Sequence, residues 1–163
     1  DEGYLFPDTY RFALNTTPEE IRSAMIDNFN KKTDDMKIST QDIIISSIVE
    51  REAKFDEDRA KIAGVYLNRL AQGMKLEADP TVQYAKGSWE PIKVSDYTSV
   101  QSPYNTYLHV GLSPGPICNP GLKSIEAVLH PEKSDYLYFF HTTDGHAVYS
   151  KTLEEHRANL KSS

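Results

Sequence analysis

The stretch Ile43-Ile44-Ile45-Ser46-Ser47-Ile48-Val49-Glu50-Arg51-Glu52 sets an aliphatic run directly against carboxylates. The run reads as a buried helix, and Glu50 is the first acid on it. A carboxyl taken partly out of water favours its neutral form. A neutral carboxylic acid near neutral pH is what protonates the leaving oxygen of a glycosidic bond. Glu50 is therefore the candidate acid. On a helical wheel Ile44, Ile45, Ile48 and Val49 make a broad apolar face. Glu50 falls at its margin, beside Ile43, Ser46, Ser47 and Lys54. The small hydroxyl residues one turn earlier would leave room for a ligand, so Ser47 joins the candidate site. Glu52 faces elsewhere on the same helix and is not expected to form a close carboxylate pair with Glu50.

Other chemistries find little support. His109, His130, His141, His146 and His156 are scattered, and no His-Glu-x-x-His occurs, so no metal site and no cofactor are expected. His146 is the histidine nearest a structured turn, and a structural hydrogen bond is its expected role. Cys118 is the single cysteine. It has no paired histidine motif and reads as a semi-buried thiol, not a nucleophile. There is no Gly-x-Ser-x-Gly, and Gly111-x-x-x-Gly115 lacks the Lys-Ser/Thr of a phosphate loop.

The elements that must position Glu50 can be read in order. Residues 1–14 alternate aromatic and polar residues around Pro7 and suggest an extended segment or loop with strand character. Thr17-Pro18-Glu19-Glu20 is a capping box with proline at the first helical position. Ile21, Met25 and Phe29 recur behind it, to an end near Lys31–Thr33. Ser39 or Thr40 caps the helix over about 40–53, with Asp42 in its first turn. Asp56-Glu57-Asp58 opens a third helix carrying Ile62, Tyr66 and Leu70, stopped near Gln72 by Gly73. Arg59, Lys61 and Arg69 are expected as solvated charges or partners of those acids. Asp79-Pro80 reads as a cap and short helix, and residues 86–101 as a polar surface loop. The Gly/Pro-rich stretch from Gly111 to Gly121 should be held in one shape, and held loops tend to shape sites. A short helix through Leu129 stops at His130-Pro131. Strands at 136–141 and 146–150 flank Asp144-Gly145 as a hairpin, and Thr152 with Glu155 begins a closing helix.

At 163 residues the chain is expected to be one domain, 1–163, of α+β class: a helical core carrying the catalytic Glu and a small antiparallel hairpin. The net charge of −6 and the lack of a basic stripe argue against nucleic acid as a partner. The ten tyrosines, six phenylalanines and one tryptophan suffice to wall a groove for sugars.

Several stretches then coincide with one family. Glu2-Gly3-Tyr4-Leu5-Phe6-Pro7-Asp8-Thr9-Tyr10, Ser47-Ile48-Val49-Glu50-Arg51-Glu52, Val65-Tyr66-Leu67-Asn68-Arg69-Leu70, Leu76-Glu77-Ala78-Asp79-Pro80-Thr81-Val82, Ser102-Pro103-Tyr104-Asn105-Thr106-Tyr107 and Gly111-Leu112-Ser113-Pro114-Gly115-Pro116-Ile117 occur in order and cover nearly the whole chain. They resemble the MltG (YceG-like) endolytic murein transglycosylases, with Ser113 where the family usually has proline. The resemblance implies a lysozyme-like active-site arrangement in which Glu50 matches the catalytic Glu. It implies cleavage of the β-1,4 MurNAc–GlcNAc bond without water, leaving 1,6-anhydroMurNAc ends. The substrate would be peptidoglycan glycan strands at the extracytoplasmic face of the membrane, and the partners the peptidoglycan synthases. A membrane anchor and a LysM-like part would precede Asp1.

One Glu can make both proton transfers, first as acid and then as base. Transition-state support would come from Asn105 and the backbone of the Gly111–Pro116 loop, including Leu112 and Gly115. Tyr84, Tyr104 and Tyr107 could stack on sugar faces, with Thr106 between the last two. Asp79 is a candidate electrostatic helper and Gln83 an N-acetyl contact. Glu2 is expected to be structural. The rivals are a hydrolytic muramidase and a non-catalytic glycan-binding module.

Overall fold

The computed structural model describes residues 1–162. The element order is α1 (Pro18–Thr33), α2 (Thr40–Glu52), α3 (Asp56–Ala71), α4 (Asp79–Lys86), α5 (Asp96–Ser99), α6 (Leu122–Leu129), β1 (Tyr138–His141), β2 (Ala147–Ser150) and α7 (Leu153–Ser162). The class is α+β, as expected. Among the described residues no helix is long and apolar enough to cross a membrane.

α2 is the axis of the fold. Ser39 caps it with a reciprocal box to Asp42, as Thr17 caps α1 with Glu20. Every residue from Ile43 to Val49 is buried, so α2 has no solvent face between its first and last turns. α3, α4 and α6 pack around it, and Ile48, Val49, Ile62, Tyr66, Leu76 and Ile117 share one apolar cluster. Full burial of Ile48 alone is worth roughly 1.5–3 kcal/mol.

Two small residues let chain segments close on this core. Gly64 on α3 lies where a Cβ would meet the Glu132 carbonyl oxygen at 2.6 Å. Gly3, at φ +94°, lies where a Cβ would strike Pro116 and Ile43. The second contact lashes the N-terminal segment over the Gly/Pro-rich loop, and Asn119 Oδ1 accepts from the Gly3 and Leu5 amides at 2.7 and 3.1 Å. Residues 1–14 form the loop alternative, without strand pairing: the segment bonds to the Asn119 side chain and, through the Phe6 amide, to the Met25 carbonyl in the middle of α1.

β1 and β2 pair antiparallel, with Phe139 opposite Tyr149 and His141 opposite Ala147. Residues 142–146 connect them, so Asp144-Gly145 sits within a longer loop and not in a two-residue turn; Gly145 adopts φ +94°. Asn68 and Arg69 of α3 donate to the carbonyls of Ser134, Tyr136 and Leu137, which fixes the sheet against the helices. Within the polar stretch 86–101, the single turn α5 forms at Asp96–Ser99.

Candidate active site

The two glutamates at the end of α2 point into different surroundings. Glu50 Oε2 accepts from Ser124 Oγ at 2.6 Å, from the Gly121 amide at 3.2 Å and from Arg59 Nη1 at 3.3 Å. Arg59 also donates to Ser124 Oγ at 2.6 Å and to Asp56 at 3.1 Å. The Glu50 side chain is 29% exposed, yet the groups around it are donors, not aliphatic walls. The carboxylate is a clasp joining α2, α3 and the start of α6.

Glu52 lies on the other side of the helix, in a cleft of about 320 Å³. The cleft is lined by Tyr66 and Arg69 of α3, Glu77 and Asp79 at the start of α4, Tyr97, Tyr107, and Phe139–His141 of the sheet. Tyr66 donates to Glu52 Oε1 at 2.9 Å. Burial pushes the Glu52 carboxyl up to about 7; the nearby Asp79 charge adds to the rise, and the Tyr66 hydrogen bond opposes it. Two carboxylates thus share one cleft. Burial, with the Glu52 charge behind it, holds the Tyr66 phenol well above its ordinary range.

Asp79 does not cap α4. Ala78 occupies that position without a side-chain bond, and Asp79 is the first helical residue. Its carboxylate is instead free to accept from Tyr107 OH at 2.5 Å, and Tyr107 stacks on Tyr97 with ring centroids 4.1 Å apart. Arg69 is buried, in contrast to the solvated charge expected. It donates to the Leu76 carbonyl at 2.9 Å and pairs with Glu77 at 3.1 Å. Glu77 has φ +51°, the left-handed region that non-glycine residues enter at a cost. The strain sits within the cleft wall. His141 and His156 also line the cleft, and burial lowers both below the usual imidazole range.

The expected site residues therefore separate. Asp79 and Tyr107 join Glu52. Ser47 is fully buried: its hydroxyl donates to the Ile44 carbonyl at 2.7 Å and accepts from the Ile117 amide at 3.0 Å, so it anchors the loop and offers no room to a ligand. Asn105 is likewise buried and spends its side chain on the Tyr97 and Val100 carbonyls and the Tyr107 amide. It positions the two stacked tyrosines and does not stand beside Glu50. Thr106 is buried between Thr81 Oγ1 at 2.8 Å and the Ala78 amide at 3.0 Å, pinning the start of α4. Gln83 donates to the Trp89 and Glu90 carbonyls. Tyr84 donates to Glu2 at 2.5 Å, and its ring lies 4.7 Å from that of Tyr104. Gly115 sits under the Tyr104 hydroxyl, Leu112 packs on the core, and Gly111 turns the loop at φ +90°. Neither Tyr84 nor Tyr104 lines the Glu52 cleft.

Cys118 behaves as expected, whereas His146 is held by a ring stack in place of the expected side-chain hydrogen bond. The Cys118 thiol donates to the Ser47 carbonyl at 3.2 Å. Burial, helped by the Glu50 charge, pushes it up to about 12, which suits an inert thiol. His146 stacks on Phe55 at 4.2 Å, on the hairpin.

A buried acid at a cleft, a second carboxylate beside it and aromatic walls are the parts of a glycan-cleaving site. Across residues 1–162 the chain matches the model of the YceG-like family, and it belongs to that family. Among its relatives is the endolytic murein transglycosylase of Bacillus subtilis (strain 168), 44% identical over 95% of this chain and 46% of that protein. The endolytic murein transglycosylase of Streptococcus pneumoniae serotype 2 is 37% identical over 98% of this chain and 31% of its own length. The chain thus spans about half, or less, of these relatives. A crystal structure of a yceG-like protein from Listeria monocytogenes superposes with a TM-score of 0.87 at 44% identity, covering 96% of this chain and 54% of that one.

Proposed function

We propose that residues 1–163 form one catalytic domain of an endolytic peptidoglycan lytic transglycosylase, and that its acid–base group is Glu52. The observation that carries this reading is the cleft: of the two glutamates on α2, Glu52 faces open space with a carboxyl poised near neutrality. Glu50, matched to the catalytic Glu on motif position, is assigned to the scaffold, because its reactive oxygen is already claimed by three donors.

In the reaction, protonated Glu52 gives its proton to the glycosidic oxygen as the C1–O bond of the muramoyl residue breaks. Positive charge gathers at that carbon. The Asp79 carboxylate, fixed by Tyr107, opposes it electrostatically. The muramoyl C6 hydroxyl then attacks C1 and passes its proton to the Glu52 carboxylate. The 1,6-anhydro ring closes and the acid is restored. Tyr66 steadies the carboxyl through both transfers. The arrangement is lysozyme-like in its use of one raised carboxylic acid. The curated relatives' names support peptidoglycan as the substrate, which lies outside the cytoplasmic membrane. There the parent protein would work alongside the synthases that extend the strands.

The presence of Asp79 favours one second reading: a carboxylate that could activate water instead, giving hydrolysis. Mass spectrometry of strands digested by the wild-type chain separates the two. Anhydro ends are expected; reducing ends would make it a muramidase, and no cleavage with intact binding would make it a binding module.

A further inference from the structure

Arg51 lies between the two glutamates in sequence and is used by neither. It is exposed and makes no hydrogen bond or ion pair among the described residues. Its guanidinium instead lies over the Trp89 indole, 3.8 Å from the ring centroid. Such a pair holds a cation flat and leaves its N–H edge available. Trp89 is 44% exposed, so it is not a core residue that Arg51 merely covers.

The pair is pre-set. Gln83 fixes the Trp89 backbone with bonds of 3.0 and 3.1 Å to the Trp89 and Glu90 carbonyls. Gly87 closes α4 in the left-handed region just before it, and Lys86 clamps the far end of the loop to Asp96 at 2.6 Å. Gln83 is one helical turn beyond Asp79, so one short helix links the Glu52 cleft to the Arg51–Trp89 pair. On the other flank, the charges of Glu50, Arg51 and Glu2 all act on the Cys118 thiol. Glu2 in turn receives the Tyr84 hydroxyl, and Tyr84 faces Tyr104. The result is an aromatic surface, reached from the cleft along α4, carrying a cation whose N–H groups no described residue takes up, in a chain of net charge −6.

We infer that Arg51 and Trp89 form a subsite for a carboxylate on the peptide substituent of the glycan, next to the sugars held in the Glu52 cleft. The inference rests on peptidoglycan being the ligand. Neutral sugar hydroxyls do not call for a fixed guanidinium, whereas a carboxylate matches its paired N–H groups. The indole both orients the cation and offers apolar area to the peptide.

The test compares binding of two probes by co-sedimentation: native peptidoglycan strands, and strands whose peptide carboxylates have been converted to methylamides. Wild-type chain should bind the amidated strands about tenfold more weakly than the native ones. Arg51→Ala should bind native strands about tenfold more weakly than wild type and lose the distinction between probes. Arg51→Lys should recover part of it, as the charge stays while the planar stack goes. Thermal melting should be unchanged in both variants, since the side chain is exposed. Equal binding of both probes by the wild type, or an Arg51→Ala variant that still tells them apart, would overturn the inference. Strand cleavage by the wild type, measured in parallel at saturating strand concentration, reports on the Glu52 cleft, so its absence would sink the catalytic reading without touching this one.

Discussion

Glu50 and Glu52 stand two residues apart on one helix and have opposite circumstances. Glu50 has an arginine, a hydroxyl and an amide on a single oxygen. Glu52 has one phenol, a neighbouring negative charge and a cleft. A charged clasp stabilises by being paired and ionised. A general acid works by being reluctant to ionise. The same side chain, turned by about 200° around α2, does one job or the other.

The sharpest way to break this contrast is paired substitution. Glu52→Gln keeps shape and removes the proton, and strand cleavage should fall by about a thousandfold or more. Glu50→Gln should leave cleavage within about tenfold of wild type. Liquid chromatography of released muropeptides reads both. Next in size is stability. Glu50→Ala removes the acceptor shared by Arg59, Ser124 and the Gly121 amide, leaving Arg59 only Ser124 Oγ and Asp56, at a cost of about 1–3 kcal/mol. For a chain of this length that lowers the melting temperature by roughly 2–12 °C, which calorimetry can follow.

The pH dependence of stability sharpens the comparison further. The Glu52 carboxyl titrates at about 7 folded and near 4.5 unfolded. Between these values the folded state holds the extra proton. Stability from this group is therefore complete below about 4.5 and declines as pH rises toward 7, by up to about 3 kcal/mol. Glu52→Gln should flatten that decline in urea melts at pH 5 and 7.5, and an unchanged slope would count against burial as the cause. The smallest effect belongs to Asp79. Asp79→Asn removes the like charge, a secondary contribution to the Glu52 shift, so the alkaline limb of the pH–rate profile, where Glu52 loses its proton, should move slightly to lower pH.

Why the sequence points to Glu50 and the cleft to Glu52 has a physical answer. The caps at Thr17 and Ser39, the aliphatic run and the hairpin are local features, and they were legible. A helical wheel orients a carboxylate only when a helix has a solvent side. α2 is buried from Ile43 to Val49, so its pattern could not say which margin opens on space. The cleft is made by residues far apart in sequence: Tyr66, Asp79, Tyr107 and the 139–141 strand. Only Asp79 and Tyr107 were singled out, since they sit in short polar-aromatic motifs. Arg69 was missed because a cation inside the Ile62–Tyr66 stripe reads as surface unless its carbonyl partners at 76 and 137 are known. Asn105 was misread the other way, as a buried amide can equally serve three backbone groups.

The central claim is that Glu52 is the group that holds a proton near neutral pH. Carbon-13 NMR titration of chain labelled at the glutamate carboxyls, with the Glu52 resonance assigned by its absence in Glu52→Gln, measures this directly. A midpoint near 7 is the result the account predicts. A midpoint in the ordinary carboxylate range, near about 4.3, would contradict it.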